Sequence, residues 1–276
     1  MTESFLAIVL RTVRYEDRHL VVTALTQEKG LITAIARNAI HSRRFGGALD
    51  LFTGANWICT EKPGATMYCL SEASVRRAYE GVRRDLAKLA AAGVFSELLA
   101  KITTERQPCP DLFRLHTNAL AALEEAPLGD SAAVLAIING YLAKLLQWFG
   151  ARPRLGVCLG CSLALDSVPE NSRLSCDVAA AGWRCNACST YSEGALSLDP
   201  VALVDFFAAL SLPIRKLPAA SRSDIKTRTE LLEFLKALLI YHVPGFDRSP
   251  LKALRFIFRE THDPVSIAPP PQDRLQ

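Results

Sequence analysis

Four cysteines are the residues whose type and spacing most directly imply chemistry. Cys158 and Cys161 form one C-x-x-C unit in RLGVCLGCSLAL, and Cys185 and Cys188 form a second in GWRCNACSTY, with 23 residues between the two. A C-x-x-C turn aims two sulfurs at one point, and two such turns complete the tetrahedron that Zn²⁺ accepts. Four thiolates leave no open position for water or substrate, so the site reads as structural zinc rather than catalytic zinc. No histidine lies between His116 and His242, and the H-x-E element that precedes P-C-x-x-C in zinc deaminases is missing. In small finger peptides zinc contributes about 10–16 kcal/mol, enough to order a polar loop such as residues 166–177. Cys59, Cys69 and Cys109 read as small apolar residues, and Cys176 has no partner at turn spacing.

The second group is basic. The run AIARNAIHSRRFGGALDLF gathers Arg37, His41, Arg43 and Arg44, and no acidic residue occurs from Gly30 to Leu49 although the whole chain carries only +4. A guanidinium fork matches two phosphate oxygens at once. Gly46 and Gly47 let the backbone turn or approach a ligand, and Phe45 could stack on an unpaired base. A solvated loop whose arginines only keep the surface soluble is an equal reading of the residues alone. Arg11, Arg14 and Arg18 extend the basic face around an earlier turn, where Glu16 and Asp17 oppose them. Phe52 and Trp57 fit a barrel core or a stacking platform, and aromatic residues on barrel strands are more often core. Arg76, Arg77, Arg83 and Arg84 read as the solvated face of a first helix, with contact between domains or with DNA as the lesser reading.

The elements that must position these groups change character along the chain. Phe5 to Val13, His19 to Thr26, Leu31 to Ala36, Leu49 to Cys59 and Ala65 to Leu70 are short runs rich in β-formers, separated by polar or glycine breaks. Five such strands suit a small closed barrel of the OB type, and an SH3-like barrel has a similar pattern. Beyond Ser74 the period becomes helical. Leu86, Leu89, Val94, Leu98 and Ile102 recur on one face, followed by helices over Leu112 to Leu123 and Ala133 to Phe149. Past the cysteines, Pro200 to Leu210, Thr229 to Val243 and Leu251 to Thr261 are helical, and a proline-rich tail closes the chain.

The fold class is therefore α+β: an N-terminal five-stranded OB barrel, then an α-helical domain carrying an inserted four-cysteine zinc ribbon. The expected limits are barrel 1–79, helical body 80–154 and 195–263, ribbon 155–194, and a disordered tail 264–276. With 276 residues, half of them hydrophobic, the chain can bury one large or two modest cores. It has neither a signal peptide pattern nor about 18 consecutive apolar residues, so a soluble cytoplasmic protein with no membrane contact is expected. Eight cysteines in that setting argue for metal and free thiols over disulfides.

In order and content these parts resemble the RecO family of DNA repair proteins over roughly residues 5–260. The carriers are FLAIVLRTVRYEDRHLVVTALTQEKGLITAIARNAI, RRFGGALDLF, YLAKLLQWFGARPRLGVCLGC, GWRCNAC and LLIYHVPGFDRSPLKALRF. The resemblance implies a cytoplasmic, nucleoid-associated recombination mediator that is not an enzyme. It would bind single- and double-stranded DNA and anneal complementary strands. With RecR, and with RecF in many bacteria, it would load RecA onto DNA coated by single-strand-binding protein. The same resemblance makes Arg37, His41, Arg43 and Arg44, extended by Arg11 and Arg14, the leading DNA-binding residues. It also places an apolar groove for the acidic tail of single-strand-binding protein in the helical body, with Arg114 as a guess at its basic partner. Ser162 and Ser189 depart from the glycine that often follows each zinc knuckle. An RNA-binding zinc-ribbon protein of the translation apparatus is the alternative reading, and a zinc-dependent hydrolase is a third.

Overall fold

Period-two alternation carries β1 (Thr2–Tyr15), β2 (His19–Thr26), β3 (Gly30–Ala36), β4 (Gly54–Thr60) and β5 (Tyr68–Arg77) into a closed barrel ordered β1-β2-β3-β5-β4. β1 closes antiparallel on β4, and β3 pairs parallel with β5. That mixed closure is the OB arrangement and sets aside the SH3-like alternative. The computed structural model describes residues 2–61, 63–169, 171–189, 196–244, 246 and 251–257. The expected tail, and the ribbon's last residues at 190–194, lie outside the described residues.

Three sequence expectations shift. The fourth strand begins at Gly54, because Gly46–Leu49 forms a 3-10 turn that buries Ala48 and Leu49. The fifth runs on to Arg77, so Arg76 and Arg77 belong to a strand; with its outer residues solvated, the second half of β5 looks polar in sequence. Phe45 is buried at 3% exposure and is no stacking ring, whereas Phe52 and Trp57 are core residues as the commoner reading of barrel aromatics has them.

The helical body comprises α1 (Glu80–Arg83), α2 (Leu86–Ile102), α3 (Pro110–Glu125), α4 (Ser131–Trp148), α5 (Pro200–Ser211), α6 (Leu217–Ala220), α7 (Ile225–His242) and α8 (Leu254–Ile257). Aspartates start four of them: Asp85, Asp130, Asp199 and Asp224 each accept a backbone N–H of the first turn. α4 is buried almost throughout and packs against α2, α3, α5 and α7. α2 departs from expectation: Leu86 and Leu89 are exposed, while Ala87, Ala91, Phe95 and Leu98 face the core. Lys88 lies fully inside, its Nζ donating to the Ala126 carbonyl. The alanines hide the true stripe, since small residues weigh little in a pattern of hydrophobic spacing. Between α4 and α5 a small sheet, ordered β7-β6-β8, contains β6 (Leu174–Asp177), β7 (Gly182–Arg184) and β8 (Ser197–Leu198).

Two cores result. One fills the barrel around Phe5, Val9, Val22, Ile32 and Trp57. The larger joins the ribbon and helices to the outside of the barrel, where Ile8, Leu10, Leu25 and Leu31 point outward into it. A bulge between Val9 and Arg11 makes this possible, since the extra residue, Leu10, turns toward the helices before alternation resumes. Polar ties close the junction. Arg77 meets Glu124 at 2.8 Å, Arg83 donates to the Leu51 carbonyl at 2.8 Å, and the Arg106 N–H donates to the Leu31 carbonyl at 2.9 Å. Gly30 sits there with φ +67°, and a Cβ on it would lie 1.9 Å from the Gln107 carbonyl oxygen. Gly30→Ala is therefore expected to destabilise the chain by ~2 kcal/mol or more, read as a lower denaturant midpoint. An unchanged midpoint would mean that the junction is looser than described.

Candidate nucleic-acid interface and metal centre

The four sulfurs of Cys158, Cys161, Cys185 and Cys188 all lie within 4.8 Å of one another. Two local turns bring them there. The Cys158 N–H donates to the Leu163 carbonyl at 2.8 Å, and the Cys188 N–H to the Cys185 carbonyl at 3.0 Å. The N–H groups of Cys185 and Gly160 point at the Cys158 sulfur at 3.3 and 3.4 Å. Burial raises the Cys158 thiol, but these hydrogen bonds outweigh it and bring the group down to about 6. Cys176 and Cys59, by contrast, are pushed up to about 12, chiefly by burial. Cys176 lies on β6 opposite Trp183 and outside the four-sulfur group, so it reads as a packing residue. The closed set of four thiolates fits a metal ion held for structure.

Gly160 is required by this geometry. A Cβ there would fall 2.7 Å from the Cys188 Cβ and 2.8 Å from its sulfur. Ser162 takes a left-handed conformation (φ +62°) in the first knuckle, the position where glycine was expected. The ribbon is seated on the body through Trp183, fully buried and donating to the Leu155 carbonyl, and through His242, whose Nε2 lies 2.7 Å from the Val178 carbonyl oxygen.

On the barrel, Arg37, His41, Arg43 and Arg44 are all exposed along the connection from β3 to β4. Two short turns, Ala39–His41 and Gly46–Leu49, shape it, and Asn38 enters it left-handed with its N–H donating to His19 Nδ1 at 2.9 Å. Arg44 lies against the rim of the barrel core, over the Phe45 ring at 5.4 Å. Arg11 and Arg14, both exposed on β1, face opposite sides of the β1–β2 hairpin. Arg14 lines an open groove of about 740 Å³ with Leu20, Ile40, Leu51 and Leu89. Arg11 faces outward in the same row as Thr23. Among the described residues Arg11, Arg14, Arg18, Arg37 and Arg43 make no ion pair, whereas Arg77, Arg83 and Arg106 at the junction are each matched to a carboxylate. Arg83 and Arg77 thus hold the two units together, the lesser of the two readings of these arginines, in place of a solvated face.

A second groove, of about 510 Å³, opens between α3, α4 and the turn Ile214–Lys216. Leu112, Leu115, Trp148 and Ile214 form its apolar wall, and Arg114, Lys144 and Arg215 supply positive charge. Arg114 pairs with Asp111 and Arg215 with Glu125, while burial lowers Lys144 from the usual lysine range. Arg114, only a guess in the sequence, lines this groove together with Lys144 and Trp148, which the sequence did not single out and which join it only after α4 packs against α3.

Known proteins match the chain along most of its length. The family model for the N-terminal part of recombination protein O matches residues 1–79, and that for the C-terminal part matches residues 83–251. The DNA repair protein RecO of Anaeromyxobacter dehalogenans strain 2CP-C is 33% identical over 239 residues, covering 86% of this chain and 89% of its own. That of Desulfatibacillum aliphaticivorans is 28% identical over 258 residues, covering 91% and 94%.

The metal centre yields a direct expectation. Cys158→Ser with Cys185→Ser should abolish stoichiometric metal uptake, and Gly160→Ala should weaken it by at least about tenfold through the crowded Cys188. Metal analysis after dialysis against a chelator reads both; full retention in the double variant would remove the assignment.

Proposed function

Because the chain belongs to the RecO family, we propose that it acts in DNA repair as a recombination mediator. In this reading it binds single- and double-stranded DNA and anneals complementary strands. With RecR, and RecF where present, it loads RecA onto DNA coated by single-strand-binding protein. No bond in DNA is made or broken, and annealing asks only for neutralised phosphates and alignment of two strands. The observation that carries the DNA-binding part is the set of exposed arginines on the barrel with no carboxylate partner among the described residues. Unmatched guanidinium groups are an electrostatic footprint for a polyanion. Arg37, His41, Arg43, Arg44, Arg11 and Arg14 are the proposed DNA-contacting residues.

Zinc is the proposed occupant of the four-thiolate centre, since soft sulfur ligands in a closed tetrahedron suit it. Its role is to hold the ribbon on the helical body. The groove beside Arg114, Lys144 and Arg215 is the proposed seat of the acidic tail of single-strand-binding protein, its apolar wall taking side chains and its cations taking carboxylates.

Arg43→Glu with Arg44→Glu should weaken binding to both forms of DNA by at least about tenfold near 0.1 M salt. It should also flatten the salt dependence on a single strand by about 1.4, roughly 0.7 for each lost phosphate contact. Fluorescence anisotropy across a salt series measures both, and unchanged binding would remove the basic turn from the site. Stronger binding to structured RNA than to single-stranded DNA would select the RNA-binding zinc-ribbon reading instead. Lys144→Glu with Arg215→Glu should abolish capture of the tail peptide of single-strand-binding protein while leaving DNA affinity intact; retained capture would relocate that contact.

A further inference from the structure

Along one side of α2, Leu86, Leu89, Gly93, Glu97 and Lys101 form a stripe at helical spacing. The far end of the described chain runs back along it. The Phe246 ring lies 5.5 Å from the Lys101 Nζ, and the Lys252 N–H donates to Glu97 Oε2 at 2.8 Å. The Ala253 Cβ lies 3.1 Å from where a Cβ on Gly93 would stand. Successive contacts at 101, 97 and 93 give this segment a direction, toward the N-terminus of α2. α8 begins at the next residue and buries Leu254 and Ile257. At about 1.5 Å per residue it advances about 6 Å, one step of the stripe, so the path of the chain leads to Leu89. Leu89 is 36% and Leu86 46% exposed. Leu89 is also a wall of the 740 Å³ groove, with Leu20, Ile40 and Leu51 of the barrel, and Leu51 is 43% exposed.

We propose that the chain's own segment 264–271, PVSIAPPP, docks in this groove as an extended strap. The position of α8 carries the proposal: past Ile257 the chain is aimed along the leucine stripe that opens into the groove. Residues 258–265 can span up to about 26 Å, which puts Val265 and Ile267 within reach of the apolar wall. The segment carries no charge, and those two side chains match a wall of leucine and isoleucine. Pro269, Pro270 and Pro271 favour the extended polyproline form, which loses little entropy on docking. Asp263 and Asp273 flank the segment with negative charge, and Arg14 on the groove makes no ion pair among the described residues. A tethered segment meets the groove at an effective concentration of about millimolar, which favours it over a second copy of the chain. The groove also borders the basic turn through Ile40 and Gly46. A docked strap therefore shields Arg14 and that turn from a polyanion; this consequence, unlike the docking itself, rests on the proposed DNA binding.

The test uses the full chain with the photo-crosslinking residue benzoyl-phenylalanine in place of Ser266. Irradiation followed by peptide mass spectrometry should place the adduct within one chain, on the peptides that contain Leu20, Ile40, Leu51 or Leu89. Leu51→Asp should cut that adduct by at least about fivefold, since docking would bury the new charge. Leu51 is exposed, so folding is preserved, and an unchanged thermal midpoint checks it. An adduct elsewhere in the chain, no adduct, or one indifferent to Leu51→Asp overturns the strap. An adduct between two chains also overturns it and names a second copy as the occupant. Ile267→Asp should raise the affinity for a labelled oligothymidylate about threefold, as for a groove that the strap fills two-thirds of the time. Equal affinity with and without that substitution overturns the shielding. A chain that binds no oligothymidylate in either form overturns the proposed DNA binding instead, while the adduct still decides the strap.

Discussion

A five-stranded barrel closes on its own backbone, and that leaves an outer face which must either be covered or be used. In this chain the division turns on one residue. Leu10 is the bulged position of β1, so it points with Ile8 toward the helices while Arg11, its immediate neighbour, joins the solvated rows. Were Leu10 paired regularly instead of bulged, alternation would turn Arg11 into the barrel and flip every later residue of the strand. Burial of Ile8, Leu10, Leu25 and Leu31 contributes about 1.5–3 kcal/mol for each side chain, which makes the covered half the anchor of the whole assembly. The polar ties at Arg77, Arg83 and Arg106 then fix the angle of a contact that hydrophobic burial drives.

Much of this was legible in the residues. The paired C-x-x-C units locate the metal centre because four sulfurs at turn spacing have few other uses, and the structure gathers the four together. Strand number and the change of period near the barrel's end also read directly. What sequence could not supply was depth. Phe45 looks like a base-stacking ring until the barrel closes around it. Lys88 looks like a solvated charge until its ammonium is seen against the Ala126 carbonyl. β5 was cut short because half its residues face water, and the core stripe of α2 was misplaced because alanines carry it. Arg114, Lys144 and Trp148 share a groove only through the packing of α3 on α4, which no local pattern encodes.

The ribbon illustrates how a strong motif can be remote from the proposed DNA-binding surface. Its sulfurs are knit to one another by backbone N–H groups and by the close approach at Gly160, and its Trp183 is absorbed into the main core. Ser162 holds a left-handed conformation that costs a non-glycine residue about 1–2 kcal/mol, a strain that a metal ion held by the four sulfurs would offset. Every feature there serves cohesion. The unpartnered charge lies instead on the barrel, where nothing in the described structure consumes it.

The leucines that bind barrel to body also set an order of events during synthesis. The barrel is complete once residue 77 has emerged, but the outward side chains of Ile8, Leu10, Leu25 and Leu31 find their cover only when the following helices appear. At about 5–20 residues per second, the chain up to the end of α4 takes several seconds more. For that interval the nascent barrel presents an apolar patch beside its basic rows. The face that later joins the two units is thus the one left uncovered on the ribosome until the helices follow.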